Sequence, residues 1–183
     1  LNTANLSSPT VTAPSAYYQT KLYTGNGSSN ALTFSGNSNM QPDLVWIKDR
    51  VEADSHALFD SVRGVQNYWQ VNNAGTQQSS SSGITSFDSN GFTIGGDLNP
   101  INSSGDSFVA WSLKAGGAPT ADNSGSASPT NNSIMIDGAA DTSTLTTSNI
   151  YPTRATGSNT FKFGMIKYEG NGSSSTQTLA NPF

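Results

Sequence analysis

The chain carries a single histidine, His56, and no cysteine. A Ser-His-Asp relay would need His56 beside one particular serine, and no Gly-x-Ser-x-Gly turn marks one out. His56 stands close to Leu58 and Phe59 and reads as a strand residue facing a neighbour. Without cysteine there are no disulfides, no thiol catalysis and no thiolate metal sites. Glycoside hydrolysis asks only for two carboxylates about 5–9.5 Å apart. Asp43, Asp49, Glu52, Asp54 and Asp60 lie close in sequence, so a polysaccharide-cleaving glycosidase stays open as an alternative. Glu occurs only twice, however, and most Asp residues stand beside Gly, Ser or Asn, where a carboxylate serves a turn. No catalytic residue is assigned, and the chain is not expected to be an enzyme.

Calcium is the one cofactor the sequence leaves room for. The stretch Asp97-Leu98-Asn99-Pro100-Ile101-Asn102-Ser103-Ser104-Gly105-Asp106 offers carboxylates and amide oxygens along one loop, the ligand type hard cations take. Asp88-Ser89-Asn90-Gly91 opens like a calcium loop but lacks the closing Glu. Both stretches read better as Asx turns, so no metal site is assigned. For ligand contact the candidates are Tyr68 and Trp69, followed by Asn72 and Asn73. An exposed ring beside amide groups can stack on a pyranose face while the amides bond its hydroxyls; packing of the rings at a sheet edge or in the core is the competing reading. Asp60 and Arg63, three apart, are expected to form a structural ion pair that orients the following turn.

Such residues must be held by strands. Charged residues make up only 11% and apolar ones 33% of the 183, and the missing charge is replaced by Ser, Thr, Asn and Gly. With a net charge of only −4 this composition predicts a folded β-protein of short strands and many turns. Eight Lys and Arg are scattered without a basic stripe, which argues against nucleic acid, and no apolar run is long enough to span a membrane. Strand patterns recur at Tyr17–Thr24, Ala31–Phe34, Pro42–Arg50, His56–Val62, Asn67–Val71, Ile84–Phe87, Gly91–Ile94 and Asp106–Lys114. That spacing predicts an antiparallel β-sandwich over 17–115. The runs Leu44–Ile47 and Phe108–Leu113 are apolar on both faces and are expected to be central strands covered on each side. Before the sandwich, 1–16 reads as a lead-in segment. After it, 116–132 reads as a linker or long exposed loop. Residues 133–183 read as connecting strands, Ile134–Ile136 and Phe161–Tyr168, that run into a second, incomplete module.

That last reading rests on a repeated phrase. Tyr23-Thr24-Gly25-Asn26-Gly27-Ser28-Ser29 returns as Tyr168-Glu169-Gly170-Asn171-Gly172-Ser173-Ser174, each after a short strand-like run. A chain that begins at Leu1 rather than Met, and ends at Phe183 soon after the second copy, is expected to be a piece of a longer array.

Several blocks in order carry a resemblance: Tyr23–Gly27, Gln41–Arg50, His56–Gly64, Phe87–Phe92, Gly105–Gly117, then Met135–Gly138 and Lys167–Gly172. As a set they resemble a domain found repeatedly in structural proteins of tailed bacteriophages, especially phages of marine and photosynthetic bacteria. The resemblance implies a lectin-like or jelly-roll (concanavalin-like) sandwich in a virion protein of no assigned catalytic activity, often in a tail fibre or other appendage. It implies as partners other virion proteins and, through host attachment, a cell-surface glycan. Copies are expected to associate, with a trimer as the guess, because thin polar modules gain core by burying faces between chains. A capsid decoration or tail connector protein without ligand is the alternative.

Overall fold

The burial of side chains in the strand Ser107–Leu113 alternates, with Phe108, Ala110 and Ser112 buried and their neighbours half-buried. That two-residue period belongs to a strand with one face on a core. The computed structural model describes residues 11–183, and the same period recurs along most of them. In chain order the first unit holds β1 (Tyr18–Thr24), β2 (Asn30–Thr33), β3 (Leu44–Asp49), β4 (Ala57–Asp60), β5 (Asn67–Gln70), β6 (Gln78–Ser79), β7 (Ile84–Asp88), β8 (Gly91–Ile94), the one-turn helix α1 (Asn99–Asn102) and β9 (Ser107–Leu113). A sheet in the order β1-β9-β3-β4-β5-β6 packs on a smaller one in the order β2-β8-β7, and every pairing is antiparallel. The fold is the all-β sandwich that the sequence predicts. Its first and last strands pair over their full length, from Tyr18 opposite Leu113 to Thr24 opposite Ser107.

The core lies between the two sheets. Val45, Ile47, Phe59 and Phe108 face Leu32, Ile84, Phe92 and Ile94, and Met40 and Ile101 close the ends. Phe59 stacks on Tyr68 at 5.0 Å, and Phe108 stacks on Tyr23 at 5.3 Å. Truncating one of these buried Phe rings would cost about 3–5 kcal/mol.

Residues 134–168 build a second sheet from β10 (Ile134–Ile136), β11 (Ala139–Ala140), β12 (Pro152–Ser158) and β13 (Phe163–Tyr168), in the order β11-β10-β12-β13. Its β10–β12 pair is parallel, unlike all the others. The stretch 116–132 contains no strand but is pinned at Asn123, which is buried. The Asn123 backbone N–H donates to the Thr153 carbonyl at 2.7 Å, and its side-chain amide donates to the carbonyls of Ser126 and Pro152. The chain enters this sheet at Gly116, whose N–H donates to Thr156 Oγ1 and whose carbonyl accepts from Gly138. A Cβ at Gly116 would strike the carbonyls of Met135 and Gly157, so only glycine fits this close approach.

Both copies of the repeated phrase fold into the same turn. Asn26 Oδ1 accepts from Ser28 N–H at 2.9 Å and Asn171 Oδ1 from Ser173 N–H at 3.0 Å, with Gly27 at φ +63° and Gly172 at φ +72°. The tyrosines ahead of them differ. Tyr23 lies against the core and donates to the Ile101 carbonyl at 2.6 Å, whereas Tyr168 is exposed on an edge strand. Of the lead-in segment, 1–10 lies outside the described residues, and Pro14–Ala16 forms a single 3₁₀ turn. Among the described residues no helix is long and apolar enough to cross a membrane.

Candidate functional site

The outer face of the larger sheet gathers all three tryptophans of the chain. Strand register sets one row across it: Thr20 opposite Trp111, Trp111 opposite Trp46, Trp46 opposite Leu58, and Leu58 opposite Trp69. Cross-strand neighbours on one face touch, and the Trp46 and Trp111 rings lie 5.5 Å apart. The strand spacing of roughly 4.8 Å places Trp69 about 10 Å beyond Trp46. Trp46 is 38% exposed and Trp69 49%. Leu44–Ile47 and Phe108–Leu113 are therefore central strands as expected, but they are not covered on both sides. Val45 and Ile47 turn inward, which sends Trp46 out.

The same alternation separates the two rings singled out in the sequence. Tyr68 points inward, is 6% exposed and stacks on Phe59, and burial pushes its hydroxyl above the ordinary tyrosine range. Adjacent residues of one strand cannot share a face, so Tyr68 is a core residue and the surface reading holds for Trp69 alone. Asn72 and Asn73 are exposed but already engaged. Asn72 Oδ1 accepts from His56 N–H at 3.0 Å, while Asn73 donates to Gln70 Oε1 and accepts from Gly75 N–H.

Asp60 and Arg63 form an ion pair at 2.5 Å with both side chains nearly buried. Asp60 Oδ1 accepts from the Arg63 backbone N–H at 2.8 Å, and Arg63 Nη2 also donates to the Leu58 carbonyl. Held there, the guanidinium lies 4.4 Å from the centre of the Trp69 ring and fixes it by a cation–π contact. At this end of the row a groove of about 650 Å³ opens between the sheet face and β13, lined by Leu58, Val62, Arg63, Trp69, Met165 and Tyr168 among others. In the middle of the row His56 packs on Trp46 at 5.7 Å.

The carboxylates considered for glycoside hydrolysis are largely spent on the backbone. Asp43 accepts from Ala115 and Gly117 N–H, Asp49 from Val51 and Glu52 N–H, and Asp60 from Arg63. Glu52 is exposed and Asp54 half-buried. In the stretch from Asp97 to Asp106 the centre is an amide rather than a cation site. Asn102, fully buried, donates through Nδ2 to Asn26 Oδ1 and to the carbonyls of Ser28 and Gly96, and its Oδ1 accepts from Asn26 N–H and from the Asn30 amide. Asp88 and Gly91 bracket a two-residue hairpin turn. Among the described residues no three His, Cys, Asp or Glu side chains converge as a metal set would.

A second, polar cleft of about 570 Å³ lies on the smaller unit, lined in part by Asp122, Tyr151, Lys167, Glu169 and Asn171. Arg154 grips Asp122 with two bonds of 2.7 and 3.2 Å and holds that carboxyl below the usual range. Sequence reasoning passed over Trp46 and Trp111 because their runs are apolar on both faces. The signal was there in Val45, Ile47 and Lys48, whose alternation already assigns Trp46 to the face shared with Lys48.

One family model matches the chain over residues 13–138, described as Domain of unknown function (DUF7483). The match takes in the whole sandwich and ends just after β10. No curated protein and no solved structure matches this chain.

Proposed function

The chain belongs to this family of unknown function, and we propose that it serves as a structural module of a tailed-phage particle whose tryptophan-bearing face meets a glycan on the host surface. The observation that supports this reading is the row Trp111, Trp46, Leu58, Trp69. Indole rings left partly in solvent and clustered on one face of a rigid sheet form the kind of apolar patch that marks an interaction surface, and flat rings spaced along a strip suit successive sugar faces. Each contact is weak, so attachment comes from avidity among copies, for which a trimer is the working assembly. The reading assigns no catalytic step, and the carboxylates bonded to backbone N–H groups have turn-holding work instead.

A second reading has its own support. Leu22, on the same face, and Val51 are each 60% exposed, and apolar side chains without sugar-facing amides favour docking on another virion protein, as in a capsid decoration or tail connector protein. A glycan array probed with the multimerised chain separates the two. Signal that disappears in W46A and W69A, with unfolding midpoints unchanged, supports glycan contact. Binding to no glycan, combined with capture by isolated phage particles, moves the assignment to docking.

A further inference from the structure

Glycine follows asparagine at three places, Asn26-Gly27, Asn90-Gly91 and Asn171-Gly172. At such a step the glycine nitrogen can attack the Asn side-chain Cγ. Attack requires that nitrogen to lose its proton, so a hydrogen bond holding the N–H must open first. Gly27 N–H donates to the Asn102 carbonyl at 3.0 Å and Gly91 N–H to the Met40 carbonyl at 3.2 Å. The amides are held as well. Asn90 accepts from Met40 N–H and donates to the Phe34 carbonyl, and Asn26 exchanges bonds with the buried Asn102.

Asn171-Gly172 has the same turn without that cover. Gly172 N–H finds no acceptor among the described residues. The Asn171 side chain is tied only to its surface neighbours, Ser173 N–H at 3.0 Å and Gln177 Oε1 at 2.6 Å. The backbone of Gly172, φ +72°, matches that of Gly27, φ +63°, so the difference lies in what holds each turn rather than in its shape.

We propose that Asn171 is a self-modification site, at which the native protein loses a side-chain amide while Asn26 and Asn90 keep theirs. The deprotonated nitrogen of Gly172 bonds to Asn171 Cγ, the Cγ–Nδ2 bond breaks, and the departing nitrogen takes up a proton and leaves as ammonia. One water then opens the five-membered imide at either carbonyl and leaves aspartate or isoaspartate. The net exchange is NH₂ for OH, and neither oxidant nor cofactor enters. The new carboxylate stands in the polar cleft shared with Lys167 and Glu169, whose balance shifts by one negative charge.

The test is incubation of the folded chain at mildly alkaline pH, with peptide mapping by mass spectrometry and enzymatic methylation of isoaspartate. The Asn171 peptide should convert roughly tenfold or more faster than the other two, the factor that one retained hydrogen bond supplies. The same three peptides should convert at similar rates in the urea-unfolded chain, and G172A should silence the Asn171 peptide alone. Equal conversion of all three in the folded protein, or an Asn171 amide that outlasts Asn26, overturns the proposal.

Discussion

At Asp43 one carboxylate oxygen accepts from Ala115 N–H at 2.7 Å and Gly117 N–H at 3.1 Å, while the other accepts from Ser61 Oγ at 2.9 Å. The residue is 2% exposed, and it holds the chain where the sandwich hands over to the second sheet. Removing the side chain leaves those donors without a partner, so D43A should lose about 2–4 kcal/mol in a urea melt. Asparagine can place its oxygen toward both N–H groups and its amide toward Ser61, so D43N should lose under about 1 kcal/mol. The two variants also differ in pH response. Burial outweighs the three hydrogen bonds and holds this carboxyl above the ordinary 3.8. A carboxyl that binds its proton more tightly when folded contributes stability below its unfolded value, and that contribution is lost as pH rises through the folded one. Wild-type stability should therefore carry a component that declines from pH 3.8 upward and is missing in D43N. Identical pH profiles for the two proteins would remove Asp43 as its source.

Among the elements, α1 does more than its four residues suggest, because Asn102 at its end makes five side-chain hydrogen bonds that fasten the first Gly-Asn-Gly turn and the loop at Gly96. Replacing it by alanine orphans several buried groups at once, so N102A should cost about 3–5 kcal/mol, read as a lowered thermal midpoint. A loss below about 1 kcal/mol would mean that water replaces the amide at little cost. Element by element, the strands with apolar alternation were legible in the sequence, and β12 was not. Its residues Ala155, Thr156, Gly157 and Ser158 are buried although none is a large apolar side chain. They are buried by close backbone approach: Gly116 sits against the Gly157 carbonyl, and the Phe183 ring covers the cross-strand pair Gly157 and Gly164. Hydrophobic periodicity cannot register burial of that kind. The candidate face was half legible for a related reason. The amide residues that follow Trp69 drew attention to it, and the alternation of Val45, Ile47 and Lys48 carries the face of Trp46, but only the register across β9, β3, β4 and β5 aligns the three indoles.

Across the whole molecule, three kinds of contact tie the sandwich to the second sheet: the Asp43 carboxylate, the Gly116 passage, and the ring of Tyr17 stacked on Phe161 at 5.5 Å. Phe161 in turn meets Phe163 edge-on, so the aromatic contact reaches from the start of β1 to the β12–β13 hairpin. All three tryptophans belong to the sandwich, but Trp69 lines the groove beside β13, so in a W69F background indole fluorescence from Trp46 and Trp111 reports that unit alone, while far-ultraviolet dichroism reports strands in both. If these contacts couple the units, the two probes should trace one transition with one midpoint. F161A then provides the decisive case. The substitution removes a ring from the second unit and touches no tryptophan-bearing strand, and its direct cost is about 1–2 kcal/mol, because the ring is only half-buried. In a coupled molecule that loss must appear in the fluorescence midpoint as fully as in the dichroism. In an uncoupled one the fluorescence curve stays where it was and the dichroism splits into two steps. Coupling also bears on the proposed glycan contact, since pull applied through the second sheet would be shared by Asp43 and Tyr17 only if those contacts hold until the sandwich itself yields.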